Sequence, residues 1–298
     1  MQRTKWIFTL LLTSGFIAFQ TAFCQAQPPG TDIYLAEYSI EQNRLSLSDP
    51  VNLTKRAGYD NQPYFHPDGE YILYTSSRDE QTDIFRYDFT QKSISQITKT
   101  TESEYSPTVM TGGKFFSTIR VESDSRQRLW KFPIDGGSPT LVLNDVMPVG
   151  YHAWGNPNQV FMFILGNPPT LQIADVRTGK TETFVGNVGR SLHKIPGINA
   201  VSFVHKISQE PWFITSLSLI NYEIDYLIKT IPGSEDYAWT PNGRIIMGNG
   251  AKLYEYIPGK TKNWQEIADF SSSGIKNISR IAVNPKGNQI VFVAQDLK

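Results

Sequence analysis

Disulfide chemistry is excluded first. The 298-residue chain has a single cysteine, Cys24, so no intrachain bridge supports the fold and burial alone must hold it. An excess of charge of one sign is also missing: 28 basic residues face 28 acidic ones. No basic stripe or run stands out, which argues against a nucleic-acid partner. Long apolar runs are missing beyond the amino end. No Gly-x-Ser-x-Gly elbow, His-Glu-x-x-His, phosphate-cradling glycine loop or cysteine cluster occurs, so the common hydrolase, zinc-protease and nucleotide signatures are absent.

The amino end looks like an export address. Met1–Lys5 is short and basic, Trp6–Phe19 is largely apolar, and small residues follow at Ala22, Cys24 and Ala26. That order is the pattern of a secretory signal peptide. The apolar run is short for a span of about 20 residues, which argues against an uncleaved anchor. Residues 1–26 are assigned to the signal and 27–298 to one domain. The expected location is periplasmic or extracellular, with no stable membrane insertion after signal removal. Phe23 is bulky where lipid processing of Cys24 needs a small residue, so no lipid anchor is expected. Without Arg3 and Lys5 the net charge becomes −2. About 270 residues suffice for a large core.

What the sequence has is a repeat. Asn52–Pro63 can be laid over Gln96–Pro107, 44 residues on. Tight turns recur at His66-Pro67-Asp68-Gly69, Thr111-Gly112-Gly113, Pro157-Asn158, Pro196-Gly197, Pro241-Asn242-Gly243 and Pro285-Lys286-Gly287. Gly69 to Gly113 and Gly243 to Gly287 each span 44 residues, and the 130 between Gly113 and Gly243 is close to three more repeats. Proline pre-sets φ early in such a turn, Asp or Asn tolerates the bend, and glycine accepts positive φ. A short apolar strand follows each turn, for example Tyr71–Thr75 and Phe115–Ile119. Third strands are expected at Asp83–Tyr87, Leu129–Pro133, Leu171–Val176, Trp212–Leu219 and Leu253–Ile257. More polar fourth strands then run along Ile94–Thr98, Thr140–Leu143, Lys180–Phe184, Tyr226–Thr230 and Trp264–Phe270.

Four strands per unit and six units predict an all-β, six-bladed β-propeller with four-stranded blades. The sixth unit ends after its second strand. Asp32–Glu37 resembles Asp83–Asp88, and Val51–Thr54 matches the end of a fourth strand, so the first strands of the mature chain should close the last blade and cover its edge. A sandwich or a parallel β-helix would not need both termini in one unit.

Pro63–Phe85 closely resembles the Pro-Asp-Gly repeat of the TolB-like propellers, with His66 where a serine is usual. The remaining units keep the period and the turn. The resemblance implies a propeller fold for nearly all of the mature chain and a role in the cell envelope through protein partners. Some related propellers carry a separate α/β domain ahead of the blades. About five residues lie here between signal and first strand, so that domain is not expected. Others act as lyases on acidic sugars with a metal in the channel.

Site residues follow from the blade plan. A polar or charged residue precedes each inner strand: Asp60, Glu104, Tyr151, Arg190, Asp236 and Arg280. Radial blades would set these around one channel mouth, where they could bind a ligand. His152 and His193 fall on neighbouring inner strands with matching parity and are the candidates for a metal, although separate polar positions are the plainer account and no cofactor is predicted. His66 reads as a turn-stabilising donor. Trp130, Trp154, Trp212, Trp239 and Trp264 are expected to pack between blades. The functional expectation is a non-catalytic, monomeric module recognising a protein or another extended ligand at the channel mouth. The alternative is a carbohydrate-active lyase or hydrolase with a metal or carboxylates in the channel.

Overall fold

The computed structural model describes residues 30–78 and 81–295; the expected signal peptide and Cys24 lie outside them. Five blades are continuous in sequence. The first is built from Asp60–Phe65, Tyr71–Arg78, Gln81–Asp88 and Ser93–Gln96. The second follows with Ser103–Val109, Phe115–Val121, Gln127–Pro133 and Thr140–Leu141. The third, fourth and fifth start at Val149–Asn156, Val188–Lys194 and Tyr237–Trp239, and each adds three antiparallel strands outward. One turn of 3-10 helix, Ser271–Ser273, is the only helix among the described residues.

The sixth blade joins the two ends of the chain. Its inner strands are Ser279–Val283 and Gln289–Gln295, and Thr31–Glu41 supplies the third. The join is antiparallel, with Asp32 opposite Ala294 and Glu37 opposite Gln289. The outer edge departs from expectation. Thr31–Glu41 runs on past the sheet edge and reverses at Gln42-Asn43, both at positive φ (48° and 65°), as a two-residue hairpin turn requires. Arg44–Leu47 therefore pairs first, and only Val51–Asn52 of the expected Val51–Thr54 returns to the sheet, opposite Tyr34 and Leu35.

Alternation along each second strand explains the ring. Side chains of successive strand residues point to opposite faces, and a blade is covered on both faces, so Tyr71-Ile-Leu-Tyr74 is apolar throughout. Ile72 and Tyr74 join Ile33, Val291 and Val293 between blades six and one, whereas Tyr71 and Leu73 join Phe116 and Phe132 between blades one and two. Four further clusters fill the other four interfaces. Trp154 is buried in one of them, and Trp130, Trp212, Trp239 and Trp264 pack partly buried against two others. Turns also lock to their neighbours. His66 Nε2 donates to the Gly113 carbonyl at 3.2 Å, and Asn284 Nδ2 donates to the Gly69 carbonyl at 3.1 Å. A Cβ on Gly69 would lie 2.3 Å from Asn284 Oδ1, so this glycine serves close approach as well as its φ of +70°.

Candidate functional site at the channel mouth

The inner strands share one irregularity. In blades one, two and six the ladder slips between Asn61 and Tyr64, Tyr105 and Thr108, and Ser279 and Ala282. Within each slip one residue takes positive φ: Gln62 at 56°, Ser106 at 56° and Arg280 at 48°. Such a bulge leaves its extra residue out of the ladder and re-aims the side chain. Each of these residues lies seven positions before the turn glycine of its blade, and Arg190 and Asp236 keep the same spacing to Gly197 and Gly243. Tyr151 stands seven before Asn158, which replaces the glycine in blade three. The six side chains from six blades line one cavity of about 110 Å³.

This frame corrects two of the expected ring positions. Tyr151, Arg190, Asp236 and Arg280 come together at the mouth. Asp60 and Glu104 do not: they lie two residues earlier in the frame and are fully buried (0 % exposed). Asp60 accepts from Ser76 Oγ at 2.6 Å and pairs with Arg56 at 3.1 Å. Glu104 accepts from Thr98 and Thr100 at 3.1 and 2.5 Å and lies 3.4 Å from Arg120. Gln62 and Ser106 hold their places in the ring. Charge marks the two acids in the sequence, whereas the constant distance to the turn marks the neutral residues.

Electrostatics at the mouth centre on Asp236. Its carboxylate receives Arg190 Nη2 at 2.7 Å, Arg280 Nη1 at 3.3 Å and Ser191 Oγ at 3.3 Å. Burial opposes its ionisation, but the Arg280 charge and the Arg190 hydrogen bond outweigh that and hold the pKa down at about 2. Arg280 also donates through Nη2 to the Tyr151 hydroxyl at 2.7 Å and lies 4.7 Å from that ring's centre. Outside this pair, Glu235 joins Arg190 at 3.4 Å to Lys206 at 2.9 Å. Tyr59, which no motif or spacing marks, borders the same field: burial raises its phenol above the ordinary value against the pull of Arg280.

Deeper in, His152, Leu192, His193 and Ile281 also line a second space of about 250 Å³. That opposite end is lined by Tyr64, Trp239, Pro196 and Pro285, with Lys194 its charged residue. The two histidines are differently engaged. His152 Nε2 is 2.6 Å from Ser117 Oγ, which also accepts from Trp154 Nε1 at 2.8 Å. His193 packs its ring 4.7 Å from that of Tyr237. Burial pushes their pKa values down to about 3 and about 4, so both imidazoles are neutral at pH 7. Among the described residues, no group of three or more His, Cys, Asp or Glu stands together as a metal site would require.

No protein-family model matches the chain, and no curated protein sequence matches it. Solved structures do. A putative TolB from Agrobacterium tumefaciens superposes with a TM-score of 0.71 at 11 % identity, over 90 % of this chain and 99 % of that one. TolB from Acinetobacter baumannii gives 0.57 at 12 % identity, with 90 % of this chain aligned to 64 % of that protein. An oligogalacturonate lyase in complex with manganese gives 0.56 at 14 % identity, over 85 % and 82 %. Identities this low carry the architecture and nothing of the activity. With the repeat, the closed ring and these superpositions together, the chain is a six-bladed β-propeller whose fold is similar to that of TolB.

Proposed function

We propose that the protein is an exported, non-catalytic binding module that takes a protein segment or another extended ligand at the Tyr151–Arg190–Asp236–Arg280 mouth of its channel. The observation that carries this reading is the arrival of four polar side chains from four different blades at one rim, held by hydrogen bonds of 2.7–3.3 Å. Preformed polar groups at the mouth of a concave, partly apolar site are the usual anatomy of recognition. The amino-terminal pattern of charge, apolar run and small residues supports export. Among the described residues, no helix is long and apolar enough to cross a membrane.

Catalysis by this carboxylate is disfavoured on physical grounds. A general acid or base works best with a pKa near the operating pH, and Asp236, locked between two guanidinium groups, sits near 2. The alternative, a lyase or hydrolase acting on carbohydrate with a channel metal, draws on the manganese-bound structural neighbour and would employ His152 and His193.

Photo-crosslinking in the exporting cell tests the reading. A crosslinker replacing Ser106 should capture a discrete partner, whereas one replacing Ile220, 79 % exposed on the outside of blade four, should not. Equal capture from both positions refutes recognition at the mouth. Chelation separates the alternative: the binding module keeps its melting temperature and its partner in EDTA, and a metal-dependent enzyme loses both activity and a bound metal.

A further inference from the structure

The mouth is not electrically balanced. Its charged lining consists of Arg190, Arg280 and Asp236; the two imidazoles, His152 and His193, and the phenols of Tyr64, Tyr151 and Tyr237 are neutral. Two guanidinium groups therefore face one carboxylate; Glu235 just outside is shared between Arg190 and Lys206, so these three cations and two carboxylates still leave one positive charge in excess. An unmatched charge in a partly dehydrated site interacts several-fold more strongly than it would in water. Donors are also left over. Arg280 uses Nη1 on Asp236 and Nη2 on Tyr151, and Arg190 uses Nε and Nη2 on Asp236. Each guanidinium has five N–H donors in a planar fork. Ser106 adds a buried hydroxyl with no protein partner.

We propose that this mouth captures one peptide carboxylate, seated against Arg190 and Arg280 beside Asp236; the inference rests on the binding-module reading and names the ligand's chemistry. A carboxylate matches the guanidinium fork and cancels the single excess charge, whereas a phosphate brings more charge than the site lacks. Size selects a peptide. The arginine end holds about 110 Å³, well below the roughly 300–1,000 Å³ of sites that enclose a whole small molecule, and the adjoining 250 Å³ lies beyond His152, Leu192, His193 and Ile281, away from both guanidinium groups. A carboxylate on a slender side chain or chain terminus reaches in alone, with Pro63, Pro107, Leu192 and Ile281 available to pack its stem. A uronic acid carries its carboxylate directly on the ring, and the ring would have to enter too.

The test is calorimetric titration of the mature protein with Ac-Gly-Glu-Gly-NH2, Ac-Gly-Gln-Gly-NH2 and Ac-Gly-Gln-Gly-OH, with galacturonate and inorganic phosphate as further probes. At least one acidic peptide should bind about tenfold tighter than the neutral amide, and the two acids distinguish a side-chain from a terminal carboxylate. Arg280→Gln should abolish the preference. Asp236→Asn removes the resident competitor and should tighten the acidic peptide by about tenfold; should neither variant fold, the wild type decides, because about 0.5 M NaCl should erase the acidic preference and leave the neutral peptide unchanged. Equal affinity for acidic and neutral peptides overturns the carboxylate and leaves the mouth a peptide site. Unchanged or weaker binding by Asp236→Asn overturns it, as does tighter binding of galacturonate or phosphate. Absence of any binding also overturns it, while the Ser106 crosslink reports on the binding-module reading separately.

Discussion

Two buried carboxylates, one in blade two and one in blade five, make an instructive pair. Glu104 and Asp236 are 0 % and 8 % exposed, so both have been taken out of water. Burial alone pushes any carboxyl up. Glu104 follows it: burial, against the Thr100 hydrogen bond and with the nearby Asp83 charge adding to it, raises its pKa to about 8. Asp236 resists it because two guanidinium groups meet its oxygens, and it falls to about 2. Arg120, which faces Glu104, is drawn instead to Glu102. Depth of burial is therefore a poor guide to charge state here; the partner decides. The uncharged acid belongs to the packing between blades, and the charged one to the channel.

The largest effect expected from breaking the comparison is Asp236→Ala. It takes the carboxylate from Arg280 and leaves Arg190, 36 % exposed, with Glu235 alone, a change worth about 3 kcal/mol, the low end for breaking a buried pair because one partner is partly in water. Chemical denaturation at pH 7 should show that loss. Glu104→Gln should act with the opposite sign. A folded pKa raised above the unfolded value gives stability that is complete below the unfolded pKa of 4.5 and is lost as pH rises toward about 8, with a slope of at most about 1.4 kcal/mol per pH unit for one proton. The glutamine variant should flatten that decline, gaining on the wild type at pH 8 and matching it near pH 4.5. Asp236 places its own loss on the acid side: a depressed pKa gives stability present above 3.8 and lost as pH falls toward about 2, worth about 2 kcal/mol by linkage. The smallest effect is Tyr151→Phe, which removes the hydroxyl that accepts from Arg280 and should cost about 1 kcal/mol in the same denaturation experiment.

Much of this architecture is written in the turns. Gly69, Gly113, Gly243 and Gly287 keep the period because each occupies a positive-φ position (70–82°) that other residues adopt at a cost. The match of Asp32–Glu37 with Asp83–Asp88 disclosed the closing strand, since both must present the same alternation to a blade on each side. The edge of the closing blade was less legible. Nothing about Val51–Thr54 reports that Thr31–Glu41 overruns the sheet and forms a hairpin at Gln42-Asn43 first. At the mouth, the four ring residues that join in hydrogen bonds there were found from charge or aromaticity, and Gln62 and Ser106 were missed because they are neutral and ordinary. Their signal was metric: a fixed distance to the turn, imposed by a bulge at one level of the channel. Asp60 and Glu104 satisfied a search for charge, yet the bulge two residues later is what turns a side chain toward the channel.

The direct measurement is a carbon-detected NMR titration of the side-chain carboxyls of Asp236 and Glu104 in the folded protein. The account predicts that Asp236 titrates near 2 and Glu104 near 8 in the same sample. Titration of both between 3 and 5 would contradict the claim that two buried carboxyls are driven apart by their partners.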